Sequence, residues 1–129
     1  MNETEAVAAA IARRIDAMER HDAAAAVALL DPLVVAFEVA GPLEVPPEQA
    51  RDAAANQAWL DSFASGPKVE VSDARIYAEG SIAFCHSLHR LTGTTKGGRE
   101  IDIAMRSTLG LRKTDGEWLI VHAHTSVPR

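Results

Sequence analysis

With a single cysteine, Cys85, among its 129 residues, the chain has no internal disulfide available to it. Phe84 and His86 flank that cysteine in an alternating stretch, so it belongs to a strand rather than to a redox motif. Clustered positive charge is missing as well. The 13 basic residues are outnumbered by 18 acidic ones, for a net charge of −5, and no basic run exceeds the pairs Arg13-Arg14 and Arg112-Lys113. That balance argues against a surface that tracks phosphates, so no nucleic-acid partner is expected. Long apolar runs are also absent. Hydrophobic stretches are short or broken by charge well before the roughly 20 residues of a membrane span, and the opening Asn2-Glu3-Thr4-Glu5 lacks the pattern of a signal peptide. No membrane partner is expected, and a cytoplasmic location is the default expectation.

What the chain does have is alternation. From Ser81 to Pro128 it reads as three long antiparallel strands, with the central turn at Thr114-Asp115-Gly116-Glu117. An Asp-Gly pair between two alternating apolar runs is a strong hairpin signal. Before it, Ile101, Ile103, Met105, Ser107, Leu109 and Leu111 share one face; after it, Leu119, Val121, Ala123, Thr125 and Val127 do. Upstream, Val7, Ile11, Ile15 and Met18 mark an amphipathic helix capped at Thr4, and Asp22 caps a short alanine-rich helix that ends before Pro32. Leu33 to Val39 predicts a short strand closed by Gly41-Pro42. Pro46-Pro47-Glu48 opens a third helix that runs to Ser65, and a bulged strand follows from Lys68 to Tyr77. Three early helices followed by four long strands predict a single α+β domain over residues 1–129, with the helices on one face of the sheet.

This element order, with the endings Asp115-Gly116-Glu117-Trp118 and His122-Ala123-His124-Thr125-Ser126-Val127-Pro128, resembles the NTF2-like superfamily. Within it, the chain is most similar to SnoaL-like and ketosteroid-isomerase-like bacterial proteins. The resemblance implies a cone, in which a strongly curved and mostly antiparallel sheet encloses a pocket that the helices close. It also implies a concave face lined by Met105, Ser107, Leu109, Val121, Ala123 and Thr125, and a convex face bearing Arg106, Thr108, Trp118, His122 and His124. Arg106, Trp118, His122 and His124 then form the expected homodimer surface.

Site residues follow from the same resemblance. Glu38 interrupts an apolar strand near the position where ketosteroid-isomerase-like proteins place a proton-shuttling carboxylate, and burial there would favour its protonated form. His86 and Arg90 share a strand face with Phe84 and Leu88, which the resemblance turns into the pocket. His86 would exchange protons with Glu38, and Arg90 would hold a carboxylate or enolate oxygen among Trp59, Phe63, Phe84, Leu88, Met105, Val121 and Ala123. The alternative is that Arg90 simply neutralises Glu38 in a buried polar network. His122 and His124 lack a third metal ligand, so no metal is expected.

The tyrosine and protonated aspartate of the steroid isomerases have Arg14 and Met105 in the corresponding regions, so steroid isomerisation by that mechanism is not expected. Two functions stay open. One is cofactor-free proton transfer of isomerase, dehydratase or cyclase type on a small, largely apolar molecule. The other is a non-catalytic ligand-binding or dimeric assembly module.

Overall fold

The computed structural model describes all of residues 1–129. Helix α1 (Glu3–Glu19) begins two residues earlier than a cap at Thr4 suggests, because Asn2 is the cap. The Asn2 side chain accepts from Glu5 N at 2.8 Å, and the Glu5 carboxylate accepts from Asn2 N at 3.4 Å, so two free amide groups of the first turn are satisfied reciprocally. Helix α2 (Ala23–Val27) is capped by Asp22 as expected. The expected third helix is two helices, α3 (Pro47–Ala50) and α4 (Ala53–Asp61), because Asp52 adopts extended backbone and caps α4 through Ala55 N.

The strands are β1 (Leu30–Phe37), β2 (Phe63–Glu79), β3 (Ile82–Thr95), β4 (Glu100–Thr114) and β5 (Glu117–Ser126). They form one sheet in the order β1-β5-β4-β3-β2, antiparallel except that β1 runs parallel to β5. The Asp115-Gly116 turn has positive φ at both central residues, which is the hairpin turn that matches strand twist. Strand β2 starts at Phe63 rather than Lys68 and passes through Gly66-Pro67 with two irregular registers. The φ of Gly66 is +88°, and a Cβ there would meet the Thr92 carbonyl oxygen at 2.9 Å, so glycine is required on both counts.

The helices cover one face of the sheet. Val7 and Ala10 of α1 pack with Leu30, Val34, Ala83, Leu109, Leu111, Trp118 and Ile120 in a single buried cluster. The buried stripe of α1 is Val7, Ala10, Arg14 and Ala17 at steps of three and four, with Arg14 half-buried among small residues. The small residues of this stripe face a covered sheet surface that includes Ala83, Cys85 and Ser87 of β3, all buried.

The expected face of β3 is overturned. Phe84, His86, Leu88 and Arg90 all lie on the outer face, with Phe84 48 % and Leu88 46 % exposed. Phe84 stacks on Tyr77 with ring centroids 4.7 Å apart. The inner face of the strand is Ala83, Cys85, Ser87, His89 and Leu91, with the first three buried.

Strand β5 departs from simple alternation as well. Leu111 pairs with Ile120 but Gly110 pairs with His122, which leaves Val121 as the extra residue of a bulge. A Cβ on Gly110 would point to the outer face and meet His122 Cβ at 3.6 Å and Val121 Cγ2 at 3.7 Å, so Val121 lies outside with His122. Before the bulge the inward residues are Trp118 and Ile120; after it they are Ala123 and Thr125. Trp118 is therefore core, 3 % exposed, and no part of an outer surface.

Candidate functional site

The inner face changes character along β3 and β4. Next to α1 it is apolar and buried, through Ala83, Leu109 and Leu111. One step further, Ser87 and Ser107 face each other across the strands, with Thr125 beside Ser107 on β5. Both serines are buried, and neither hydroxyl is engaged by another side chain or by backbone. The next row pairs His89 with Met105, and beyond it lie Leu91, Ile103 and Ile101, all half-buried. The helices thus leave this part of the sheet as a partly open apolar shelf with hydroxyls at its inner end.

Arg14 reaches this region from α1. Burial holds its guanidinium below the ordinary arginine value, and the nearby Glu38 carboxylate opposes that shift. Arginine stays charged under such a shift, so a desolvated cation sits between helix and sheet. Its Nε is shielded from solvent and has no acceptor. None of the molecule's ion pairs includes it. His89 feels the same environment. Burial, and secondarily the positive charge of Arg14, pull its imidazole below the ordinary value of 6.5, so it is neutral at pH 7 and can accept a proton.

The expected site residues separate into two groups. Glu38 follows the end of β1 and is exposed, yet close enough for its charge to act on Arg14. Met105 and Ala123 face inward as expected. Trp59 and Phe63 are edge-to-face at 5.1 Å; Phe63 is buried against Gly93, where a Cβ would meet its ring at 2.7 Å, and Trp59 is 44 % exposed. His86, Arg90, Phe84, Leu88 and Val121 are on the other side of the sheet. Arg90 is occupied there by a two-point ion pair with Asp102, at 2.9 and 2.7 Å. His86 tilts against Tyr77 at 6.0 Å.

Sequence reasoning missed His89, Ser87 and the role of Arg14. The available signal was the size of the alternate residues: Ala83, Cys85 and Ser87 are what a tightly covered strand face permits, and Ala10 and Ala17 flank Arg14 on the matching helix stripe.

Enclosed space is small. Arg14, Met18, Leu30, Asn56, Trp59 and Leu60 border a void of about 30 Å³, the size of one water rather than of a ligand. A wider groove of about 430 Å³ lies against Arg13, Asp16, Arg20 and Trp118, where Arg20 is already paired with Asp16 at 2.8 Å. Among His122, His124 and their neighbours no group of three metal-ligating side chains forms. His122 Nδ1 instead lies 2.7 Å from the Val35 carbonyl oxygen, a bond in which the ring nitrogen donates. No helix is long and apolar enough to cross a membrane.

The SnoaL-like domain family matches residues 7–129, nearly the whole chain. The chain belongs to the SnoaL-like domain family. Its NTF2-like fold is shared with solved bacterial structures at low identity. An NTF2-like protein of unknown function from Pseudomonas putida KT2440 superposes with a TM-score of 0.81 at 22% identity, over 97% of this chain and 86% of that one. A protein from Streptomyces avermitilis, provisionally named a dehydratase of the NTF2-like family, gives 0.84 at 16% identity over 98% and 96%. An NTF2-like superfamily protein from Salmonella enterica serovar Typhimurium gives 0.82 at 17% identity over 98% and 91%. No curated protein matches the sequence. At these identities the SnoaL-like chain shares a fold with its neighbours, and its chemistry has to be argued from its own inner face.

Proposed function

We propose that this SnoaL-like protein binds a small, largely apolar molecule on the inner face of its sheet and transfers a proton on it without a cofactor. The observation that carries this reading is the pairing of a neutral, half-buried imidazole, His89, with an unpaired guanidinium, Arg14, at the hydroxyl end of an apolar shelf. The residue types expected from the sequence are present; they stand on the opposite face of β3. His89 takes the role expected of His86, and Arg14 that expected of Arg90.

A neutral imidazole can remove a proton next to a carbonyl, and a fixed cation stabilises the oxyanion that results. The Ser87 and Ser107 hydroxyls supply further donors. Glu38, at the rim, is placed to exchange the proton with solvent. An isomerisation or a dehydration uses these parts, and the second is the reaction named for the Streptomyces avermitilis neighbour.

The outer face favours an added role in assembly. Tyr77, Phe84 and Leu88 form an exposed apolar stripe, rimmed by Arg106 and the Arg90–Asp102 pair, which fits the anatomy of a homodimer contact. His122 and His124 flank Phe37 on the same face.

Proton transfer is tested by incubating the protein with a panel of small ketones and β-hydroxy acids in D2O and following deuterium uptake by NMR. Uptake with at least one panel member is expected, and His89→Gln should slow it by about 10²–10⁴-fold, the usual contribution of a general base. Equal uptake rates in wild type and His89→Gln would remove the proton-transfer role.

A further inference from the structure

We propose that Ser87 and Ser107 form the oxygen site of the inner face, where their two hydroxyls donate to one carbonyl oxygen of an uncharged, largely apolar ligand. The inference rests on the reading that the inner face binds a small molecule, and narrows that molecule to a ketone or an aldehyde.

The two serines are register partners on β3 and β4, and only 8 % and 3 % exposed. Buried hydroxyls are ordinarily bonded. These two are bonded neither to the protein nor to each other. The polar atoms that lack a partner and are also sealed from solvent are Arg14 Nε and Trp118 Nε1, so both serine oxygens stay open to a small molecule on the shelf. A strand position that had only to be small would be served by alanine, as Ala83 serves on the same face.

Facing residues on paired strands have their Cβ atoms about 5 Å apart. A carbonyl oxygen accepts two bonds of about 2.7–2.8 Å from hydroxyls, so one oxygen spans this pair. His89 stands on the same face of β3, about 7 Å along the strand from Ser87, within reach of the carbon beside that carbonyl. Met105 is the register partner of His89, and Leu91 and Ile103 follow, which gives the rest of the ligand apolar contact. When the imidazole takes a proton from that carbon, the C–H electron pair becomes a C=C bond and the C=O π pair moves onto the oxygen. The two hydroxyls then hold an enolate, and return of the proton to a different carbon completes an isomerisation. Arg14 Nε is sealed off and makes no part of this contact. A carboxylate would bring a full charge to neutral donors among apolar side chains, which is why the class is uncharged.

The test compares acetophenone, carrying carbon-13 at the carbonyl, with α-methylstyrene, which has the same shape and no oxygen. Binding is followed through the His89 ring and Met105 methyl NMR signals of the full chain. Acetophenone should bind about tenfold more tightly, as two hydrogen bonds allow, and its carbonyl signal should move downfield on binding. Ser87→Ala with Ser107→Ala should erase both the preference and the downfield move while the styrene still binds, and chemical denaturation should show the fold undiminished. Equal binding of the two compounds by wild type, or a preference and carbonyl shift that survive in the double variant, would overturn the oxygen site while leaving the inner face as a binding site. Absence of any change at His89 and Met105 with either compound would overturn both readings.

Discussion

Arg14→Met is expected to make the protein more stable while it slows proton transfer. The substitution removes a desolvated charge that has no ion-pair partner and an Nε that has no acceptor, and it puts a flexible apolar side chain on the buried stripe of α1. Replacing buried charge by packed hydrophobic volume commonly raises stability by about 1–4 kcal/mol. Chemical denaturation should show the unfolding midpoint moving to higher denaturant with an unchanged slope. A residue retained for folding would behave the other way. Destabilisation by Arg14→Met would mean that the guanidinium is held in a structural network, and the proton-transfer reading would lose its free cation.

Trp118→Ala is expected to lower stability by about 3–5 kcal/mol, the range for deleting a large aromatic side chain from a core. Trp118 is buried in the cluster that joins α1, β1, β4 and β5, so the cavity opens at the centre of the molecule. Trp118→Phe keeps an aromatic ring in this cluster and should lose much less. Neither change should act on self-association. That role is assigned to the outer stripe, where Phe84→Glu should shift the mass seen on a sizing column while Trp118→Phe leaves it unchanged. A stability loss below about 1 kcal/mol for Trp118→Ala would place the indole on the surface instead, and the bulge at Val121 would have to be reconsidered.

Much of the architecture was legible from local chemistry. Asp115-Gly116 can take the positive φ values that a tight hairpin needs, and the long alternations on each side fixed β4 and the hairpin half of the sheet. Asp22 marked the start of α2 and Pro46-Pro47 the start of α3 in the same local way, whereas Pro32 lies inside β1 and Gly66-Pro67 inside β2 rather than at helix ends. The sheet faces were not legible, because parity is decided by what packs on each face. Phe84 and Leu88 look like core residues by hydrophobicity, yet the covered face of β3 takes Ala83, Cys85 and Ser87, and the larger pair forms an outer stripe with Tyr77.

The four apolar residues Trp118, Leu119, Ile120 and Val121 fit either phase of a strand, so the sequence alone conceals the bulge that Gly110 accommodates. His89 was hidden by the same error of parity. Arg14 was visible as a departure from the steroid isomerases, but its isolation from any counter-ion is a property of the folded molecule.

Residue-specific NMR titration of His89, in wild type and in Arg14→Met, tests most directly whether these two side chains form one site. In wild type the imidazole should titrate below 6.5, for burial first and for the Arg14 charge second. The unfolded chain then takes up the proton before the native one, so stability should fall as pH drops from about 6.5 through the native value. In Arg14→Met the His89 value should rise part of the way back and remain below 6.5, because burial persists. A His89 that titrates at or above 6.5 in wild type, unmoved by Arg14→Met, would contradict a shared Arg14–His89 site on the inner face.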